Sequence, residues 1–505
     1  MKDLISMRDL CREDIESVIE DAIRIETLGL DSSLTDKRLA NLFFEESTRT
    51  RGKMKTAAWD LGMKVFDHMQ GKTEPLKHAA KMYEGWGYDI IAMRHFLDGA
   101  ARHVADVVNI GVINCGDYNH AHPTQALQDL KRIKQEKGTL DGLKIAIGGD
   151  LLHSRAAHDF LYAISKFDIE LAIIPPNNRL NFPKHMIEDY IEITGKEPTL
   201  LRNPTEALKD FSADVYHNNR IKRERYQPDR DGQIEFENDF KLQRITEQTL
   251  DEGKSDVIIM DPLPINKLFP AIDPAIDDDP RVVYYQQSAD GVPVSKVIIK
   301  RLLEQSLIGR RKNHTEQEEV WRDLPITHGS KIGKKLVYRL GDGTSIDRIE
   351  HGRGLLAFFL LGLYELDTPV VPALGIDSQE FDFKDALAVH NVYLTENQLS
   401  LLALISKTAR VNIIENDQVK RKGQVVLQRE IEGILQCQNR NCVSWPDHNE
   451  YTTSKFYVEK IDPLRVRCHY CEKPMKREDV AQALVMPLSD HIHRYLLQTF
   501  HNGRH

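Results

Sequence analysis

The sequence predicts an α/β protein: two successive domains, each a parallel sheet covered by helices, then a small α+β domain and a cysteine-bearing module. Three observations carry this. From residue 1 to about 290, apolar runs of strand length alternate with amphipathic segments of helix length. Beyond a polar stretch that pattern gives way to shorter strands. Finally, four of the six cysteines crowd between positions 437 and 471.

The first domain is expected over residues 1–135. "MKDLISMRDLCREDIESVIE" is charged throughout and reads as an amphipathic helix, not a secretory signal. "RLANLFF" (38–44) is a short apolar strand. Met54, Ala57, Ala58 and Leu61 then fall at i, i+3, i+4 and i+7, with Gly62 as a stop. "YDIIAMRH" and "GVINCGD" are strands, and "PTQALQDLKRIKQEKG" is a helix with Pro123 in its first turn and Gly138 at its end. The second domain, 136–308, repeats the alternation with the strands "LKIAIGGD", "ELAIIPP", "ADVYHNN" and "SDVIIMDPLP" and the closing helix "VSKVIIKRLLEQSL". Strands alternating with helices imply parallel sheets covered on both faces. Residues 309–333 are polar, have no period and read as a linker. Strands within "KKLVYRLGDGTSID" and "ARVNIIENDQVKRKGQVVL" place the α+β domain at 334–430, the cysteine module at 431–476 and a tail at 477–505.

Composition narrows the function classes. The chain is 41% hydrophobic and 29% charged, ordinary for a soluble protein. A net charge of −9 gives a general nucleic-acid role no electrostatic support. The longest apolar runs, such as "LLAFFLLGLY", are too short to span a bilayer, so no membrane role and a cytoplasmic location are expected. Cys11 and Cys115 stand alone and read as small buried residues.

The segment "FFEESTRTRGKMKTAAWDLG" (43–62) runs from strand into helix through Ser47, Thr48, Arg49, Thr50 and Arg51. The first N–H groups of a helix lack internal partners, and the helix dipole is positive there. Hydroxyls add donors and Arg49 adds a fork suited to phosphate. The plainer reading is a capping hydroxyl with solvated arginines. Other strand ends weigh against it. "AMRH" sets Arg94 after a strand, and "HAHPTQ" sets His122 before the helix opened by Pro123, with Gln125 in its first turn. "GGDLLHSR" sets Arg155, "NNRIKRER" sets Arg220, and "DPLP" sets Leu263 and Pro264 in the same relation. Ligands of open α/β sheets bind beyond the carboxyl ends of the strands. The combination points to a polyanionic ligand or to two anionic substrates. "GGDLLH" lacks the dinucleotide glycine spacing and there is no P-loop, so no organic cofactor is expected.

Together "FFEESTRTR", "AMRH", "HPTQALQDL", "GDLLHSRAAH", "NRIKRER" and "DPLP" resemble the aspartate carbamoyltransferases in order and approximate spacing. "GTSIDRIEHGRG", "ARVNIIENDQVKRKG", "IEGILQCQNRNC" and "RCHYCEK" resemble the separate regulatory chain of the bacterial enzyme. The resemblance implies a catalytic chain fused to a regulatory chain, with a carbamoyl phosphate domain, an aspartate domain whose closing helix returns to the first domain, and a regulatory nucleotide-binding-like domain. It implies transfer of a carbamoyl group from carbamoyl phosphate to L-aspartate in pyrimidine biosynthesis. Ser47, Thr48, Arg49 and Thr50 would hold the phosphate. Thr50, Arg94 and His122 would be catalytic, donating to the carbonyl oxygen. Gln125, Leu263 and Pro264 would hold the carbamoyl nitrogen, and Arg155 and Arg220 aspartate's carboxylates. Lys72 would reach a neighbour's site in a homo-oligomer built on catalytic trimers with shared active sites. Asp347 and Lys422 match effector-contacting positions for a possible nucleotide. The sequence departs from the family at Met69, Lys222, Asp261, Ile265, Arg348, Ala388 and Asp417. These departures motivate two alternatives, a different acceptor amino acid and a catalytically silent nucleotide-sensing scaffold.

Cys437 and Cys442 are separated by four residues, and Cys468 and Cys471 by two. Paired thiols at such spacing suit tetrahedral Zn²⁺ with no open position, hence a structural site in a zinc-ribbon-like domain. His469, between two of them, is expected to point outward.

Overall fold

The computed structural model describes residues 1–29, 33–69, 74–309, 320–326, 340–378 and 380–485. They divide into two compact units. One comprises residues 1–312 with the short loop segments 441–443 and 449–451; the other is the rest of the chain from 313.

The first unit opens with extended chain, unlike the expected helix. Leu4 bridges Ile113 in parallel, and Leu4, Ile5, Met7 and Leu10 are almost fully buried. Apolar residues that mimic a helix face thus fill the core from an irregular segment. The helix α1 (Arg12–Leu28) starts where Asp14 accepts the Cys11 N–H at 3.3 Å. Four strands follow, β1 (Arg38–Phe43), β2 (Lys64–Met69), β3 (Ile90–His95) and β4 (Gly111–Asp117), paired in parallel in the order β2-β1-β3-β4. The connecting helices are α2 (Thr48–Asp60), α3 (Leu76–Gly85) and α4 (Ala100–Val107), and α5 (Pro123–Lys137) leads out to the next sheet. Gly138 closes α5 in the left-handed region, as its position suggested.

The second parallel sheet contains β5 (Leu143–Gly149), β6 (Ile169–Ile174), β7 (Thr199–Leu200), β8 (Val215–Asn219) and β9 (Ile258–Met260), in the order β7-β6-β5-β8-β9. Its helices are α6 (Arg155–Ile164), α7 (Lys184–Thr194), α8 (Arg230–Gln243), α9 (Glu247–Asp251), α10 (Tyr284–Ala289) and α11 (Gly291–Leu303). α11 lies against α1, α2 and α5. One apolar core therefore runs from Phe43, Met54 and Ile113 through Leu127 and Leu130 to Ile145, Phe160 and Ile298. That continuity holds the ends of both sheets at fixed separation, which a site built between them requires.

In the second unit the stretch read as linker holds a short strand, β10 (Trp321–Asp323). It is the edge of an antiparallel sheet with β11 (Gly343–Glu350), β12 (Val370–Ser378), β13 (Asp382–His390), β14 (Arg410–Glu415) and β15 (Gln418–Val425), ordered β10-β15-β14-β11-β13-β12. Trp321 is 8% exposed, and the Arg421 guanidinium stacks on its ring at 4.9 Å. An indole on a strand edge supplies the burial that the polar linker otherwise lacks. The helices are α12 (Gly354–Leu360) and α13 (Glu396–Ile405); a capping box at Thr395 and Gln398 opens the latter. A smaller antiparallel sheet of β16 (Glu430–Glu432), β17 (Lys455–Ile461), β18 (Leu464–Cys468) and β19 (Pro474–Lys476) precedes α14 (Arg477–Val485). No helix among the described residues is long and apolar enough to cross a membrane.

Candidate active site

The carboxyl ends of the parallel strands in the first unit open onto one cavity of about 660 Å³. It is lined by Ser47, Thr48, Arg49 and Thr50 after β1, by Arg94 on β3 and by His122 and Gln125 at the start of α5. Arg155 after β5, Arg220 after β8, and Leu263 and Pro264 after β9 complete it. The structure thus brings together eleven of the twelve sequence-derived substrate residues. The twelfth, Lys72, lies outside the described residues, as does the stretch 70–73 around it.

Ser47 occupies the N-cap of α2, yet its side chain makes no capping hydrogen bond. Its Oγ instead accepts from Arg94 at 3.2 Å. The plain capping reading of this motif therefore fails at Ser47, and the first N–H groups of α2 remain directed at the cavity. Arg49, the second residue of α2, is exposed at the cavity wall with Asp261 as its acidic neighbour.

His122 is held from three sides. Its backbone N–H donates to Asp159 on α6 at 2.6 Å, its ring Nε2 lies 3.4 Å from Thr50 Oγ1, and its ring Nδ1 lies 3.2 Å from Thr124 Oγ1. Burial, and then the charges of Arg155, Arg94 and Lys53, push its pKa well below the usual histidine value of 6.5. The ring is neutral and can donate only one N–H. Burial, and then Arg155, lower Arg94 to about 10, which still leaves it charged near neutrality.

Glu45 was not singled out from the sequence. Its Oε2 accepts from Arg94 Nε and from Arg155 NH1, each at 3.3 Å. A carboxylate next to an anion cradle reads as a liability, but here it keeps two guanidiniums close together and aimed. Gly116 makes the same point sterically: its φ is +111°, and a Cβ would meet Arg155 Nε at 2.9 Å and His122 Cδ2 at 3.2 Å.

Gln125 donates from Nε2 to Asp129 at 2.8 Å, and Asp129 also accepts from Gln287 at 2.6 Å and His217 at 3.0 Å. With its nitrogen committed, the Gln125 oxygen is an acceptor. On the other side of the cavity Ser154 caps α6 and donates to Asn219 at 2.6 Å, tying the Arg155 turn to the residue before Arg220. Lys222 and Arg225 join the lining there. Burial is the main cause lowering the Lys222 pKa; Asp150 opposes it, while Arg225, Arg155 and Arg220 add to it. Asp261 is buried, its carboxyl pushed up, and it accepts from Asn218 at 2.6 Å and from the Leu263 N–H at 2.6 Å, shaping the turn that presents Leu263 and Pro264.

The two residues matched to effector-contacting positions lie in the second unit. Asp347 stands opposite Arg410 across β11 and β14, and Lys422 opposite Asn412 across β14 and β15, so both share one sheet face. Asp347 is paired with Lys384 at 2.8 Å.

Cys437, Cys442, Cys468 and Cys471 are all buried, with no disulfide, and their sulfurs lie within 4.8 Å of one another. Four convergent thiols fit a tetrahedral metal ion with a closed shell. His469 does not point outward: it is 8% exposed and packs edge-on against Tyr457 at 5.4 Å.

Comparison with known proteins gives four family matches along the chain. Residues 2–135 match the aspartate/ornithine carbamoyltransferase carbamoyl-P binding domain, and 141–302 the Asp/Orn binding domain. Residues 335–426 match the allosteric domain of the aspartate carbamoyltransferase regulatory chain, and 429–481 its metal binding domain. The aspartate carbamoyltransferase catalytic subunit of Methanocaldococcus jannaschii is 36% identical over 318 residues, covering 60% of this chain and 98% of the relative. A structure of the M. jannaschii catalytic subunit superposes with a TM-score of 0.54 at 35% identity, covering 60% of this chain and 99% of that one. Trypanosoma cruzi aspartate transcarbamoylase in complex with N-(phosphonacetyl)-L-aspartic acid gives 0.54 at 25% identity, covering 59% and 94%.

Proposed function

This chain belongs to the aspartate carbamoyltransferase family, and from that premise we propose how its residues act. It is a transferase that moves the carbamoyl group of carbamoyl phosphate to L-aspartate, giving N-carbamoyl-L-aspartate and phosphate, and it carries its regulatory region in the same chain. The reaction belongs to pyrimidine biosynthesis.

The amine of aspartate attacks the carbamoyl carbon. A C–N bond forms, the C–O bond to phosphate breaks, and the departing phosphate takes the amine's proton. No covalent enzyme intermediate is needed, so catalysis is orientation and preorganised charge. Ser47, Thr48, Arg49 and Thr50 at the start of α2 hold the leaving phosphate. Arg94, Thr50 and the neutral His122 donate to the carbonyl oxygen as it gains charge. The Gln125 oxygen accepts from the carbamoyl nitrogen, with Leu263 and Pro264 as its backbone neighbours. Arg155 and Arg220 take aspartate's two carboxylates, and Lys222 adds a third cation there.

One observation carries this reading above the others: an anion cradle and a separate arginine pair face the same cavity, with a neutral histidine in it. The cations around Lys222 favour a dicarboxylate acceptor over a monocarboxylate one. A panel of amino acids offered with carbamoyl phosphate tests this. Aspartate should be the preferred acceptor by a wide margin, and preference for a monocarboxylate amine would defeat the assignment.

The four-cysteine cluster holds structural Zn²⁺. The active protein is a cytoplasmic homo-oligomer built on catalytic trimers, in which Lys72 completes a neighbour's site. Asp347 and Lys422 lie where a nucleotide effector would bind.

A further inference from the structure

Lys53 is not among the residues that the motifs mark. It sits one helical turn after Arg49 on α2, at i+4, and so shares Arg49's face. It lines the same cavity. Among the described residues its ammonium donates one hydrogen bond, to Gln128 on α5. The neighbouring chain makes room for it: a Cβ on Gly291, the first residue of α11, would lie 2.2 Å from Lys53 Cδ and 2.5 Å from Gln128 Oε1. Three elements are therefore fitted around a lysine that a solvent-facing role would not require.

We propose that Lys53 is a further binding residue for the phosphate half of the donor, adding a cation to the α2 cradle. The inference rests on the donor site described above. Burial is the chief cause that lowers this lysine to about 8. The groups facing it are Arg49 on its own helix, Cys115 on β4, Asp129 on α5 and Asp290 ahead of α11, and it also bears on His122. Arg49 disfavours its charge, and Asp129, Cys115 and Asp290 favour it. An arriving dianion favours the charged form as well. In the empty site the lysine sheds its proton as pH rises through about 8, and the bound anion recovers that proton from solvent. Donor affinity should therefore fall as pH rises above about 8, and binding near that pH should take up a proton. His122, held well below 6.5, and Cys115, pushed up to about 12, do not titrate in this window.

Calorimetric titration of the full chain with inorganic phosphate at about pH 8.5, where phosphate is already a dianion, in two buffers of different ionisation enthalpy, counts the protons taken up. Inorganic phosphate leaves the acceptor half, with Lys222, unoccupied. The expected result is uptake of a large fraction of one proton by the parent. Lys53→Met should lose that uptake, and near neutral pH should bind phosphate about tenfold or more weaker. Lys53→Met paired with Gln128→Leu, which leaves no buried amide oxygen unmatched, should behave the same. Lys53→Arg should retain affinity and show no uptake. If Lys53→Met keeps both affinity and uptake while Arg49→Ala loses binding, Lys53 has no part in the site and the donor cradle stands. If Arg49→Ala also binds normally, the cradle itself is wrong, and the Lys53 proposal falls with it.

Discussion

His122 makes three local contacts, and burial together with three nearby cations keeps its ring neutral. A neutral imidazole polarises a carbonyl by donating one N–H and need not act as a base. Replacing it with alanine should lower kcat about 10²- to 10³-fold, the usual scale for one oxyanion donor, with a smaller effect on donor affinity. Its pH behaviour has a definite sign. The folded ring resists protonation while the unfolded ring titrates at 6.5, so the unfolded chain binds the extra proton as pH falls. The stability contribution is present above 6.5 and declines below it, which denaturant titrations at several pH values would resolve. The rate profile should show no loss attributable to His122 near 6.5. Glu45 acts through the two arginines it bridges: Glu45→Gln should raise KM for both substrates several-fold, since the amide oxygen still accepts but no longer supplies the negative charge that offsets the repulsion between Arg94 and Arg155.

At the scale of elements, strand ends do most of the positioning. Gly116, at the end of β4, leaves room for Arg155 and His122 to approach. Gly116→Ala places a methyl group against both, in a conformation that costs an L-residue about 1–2 kcal/mol, and should impair aspartate saturation more than phosphate binding. Steady-state kinetics with each substrate varied in turn separates the two. In the second unit Trp321 anchors β10 on β15. Trp321→Ala should destabilise that unit by roughly 3 kcal/mol, visible in its thermal transition, while carbamoyl transfer persists. Among the strands of the first unit that the sequence revealed, β1, β3, β5 and β6 are nearly continuous apolar runs, and β4 and β8 are buried throughout. β2, "KVFDHM", has neither a continuous apolar run nor a period-two alternation and gave no such mark. The β12–β13 hairpin was also missed, because Pro372 and exposed positions interrupt its pattern. Trp321 lay in a polar stretch, and its strand is held by pairing with a distant sheet edge, which no local period announces.

At the scale of the whole molecule, the sequence reading captured the succession of fold classes, parallel-sheet α/β first and then a regulatory region with a cysteine cluster, because each carries a local signal: alternation, then shorter strands, then paired cysteines. It found the cavity's motif residues because each follows a strand in a recognisable segment. Glu45, Lys53 and Arg225 escaped it because a lone carboxylate, or a lysine or arginine in a charged run, looks like solvated surface until the fold turns it inward. The cysteine module should contain one metal ion per chain by elemental analysis. A strong chelator should unfold that module, since a structural zinc contributes on the order of 10–16 kcal/mol to folding a small unit. Amide exchange over 431–476 would report this.

The central claim is that the start of α2 grips the leaving phosphate of an activated carbamoyl donor within reach of His122 and Arg94. Colorimetric assay of carbamoyl aspartate formed by the purified full chain, parent beside Arg49→Ala, tests it most directly. The account predicts turnover by the parent and a loss of about a hundred- to a thousandfold in the variant, the scale of one lost transition-state donor. Near-equal rates in the two proteins, or no product from a folded parent supplied with both substrates, would contradict it.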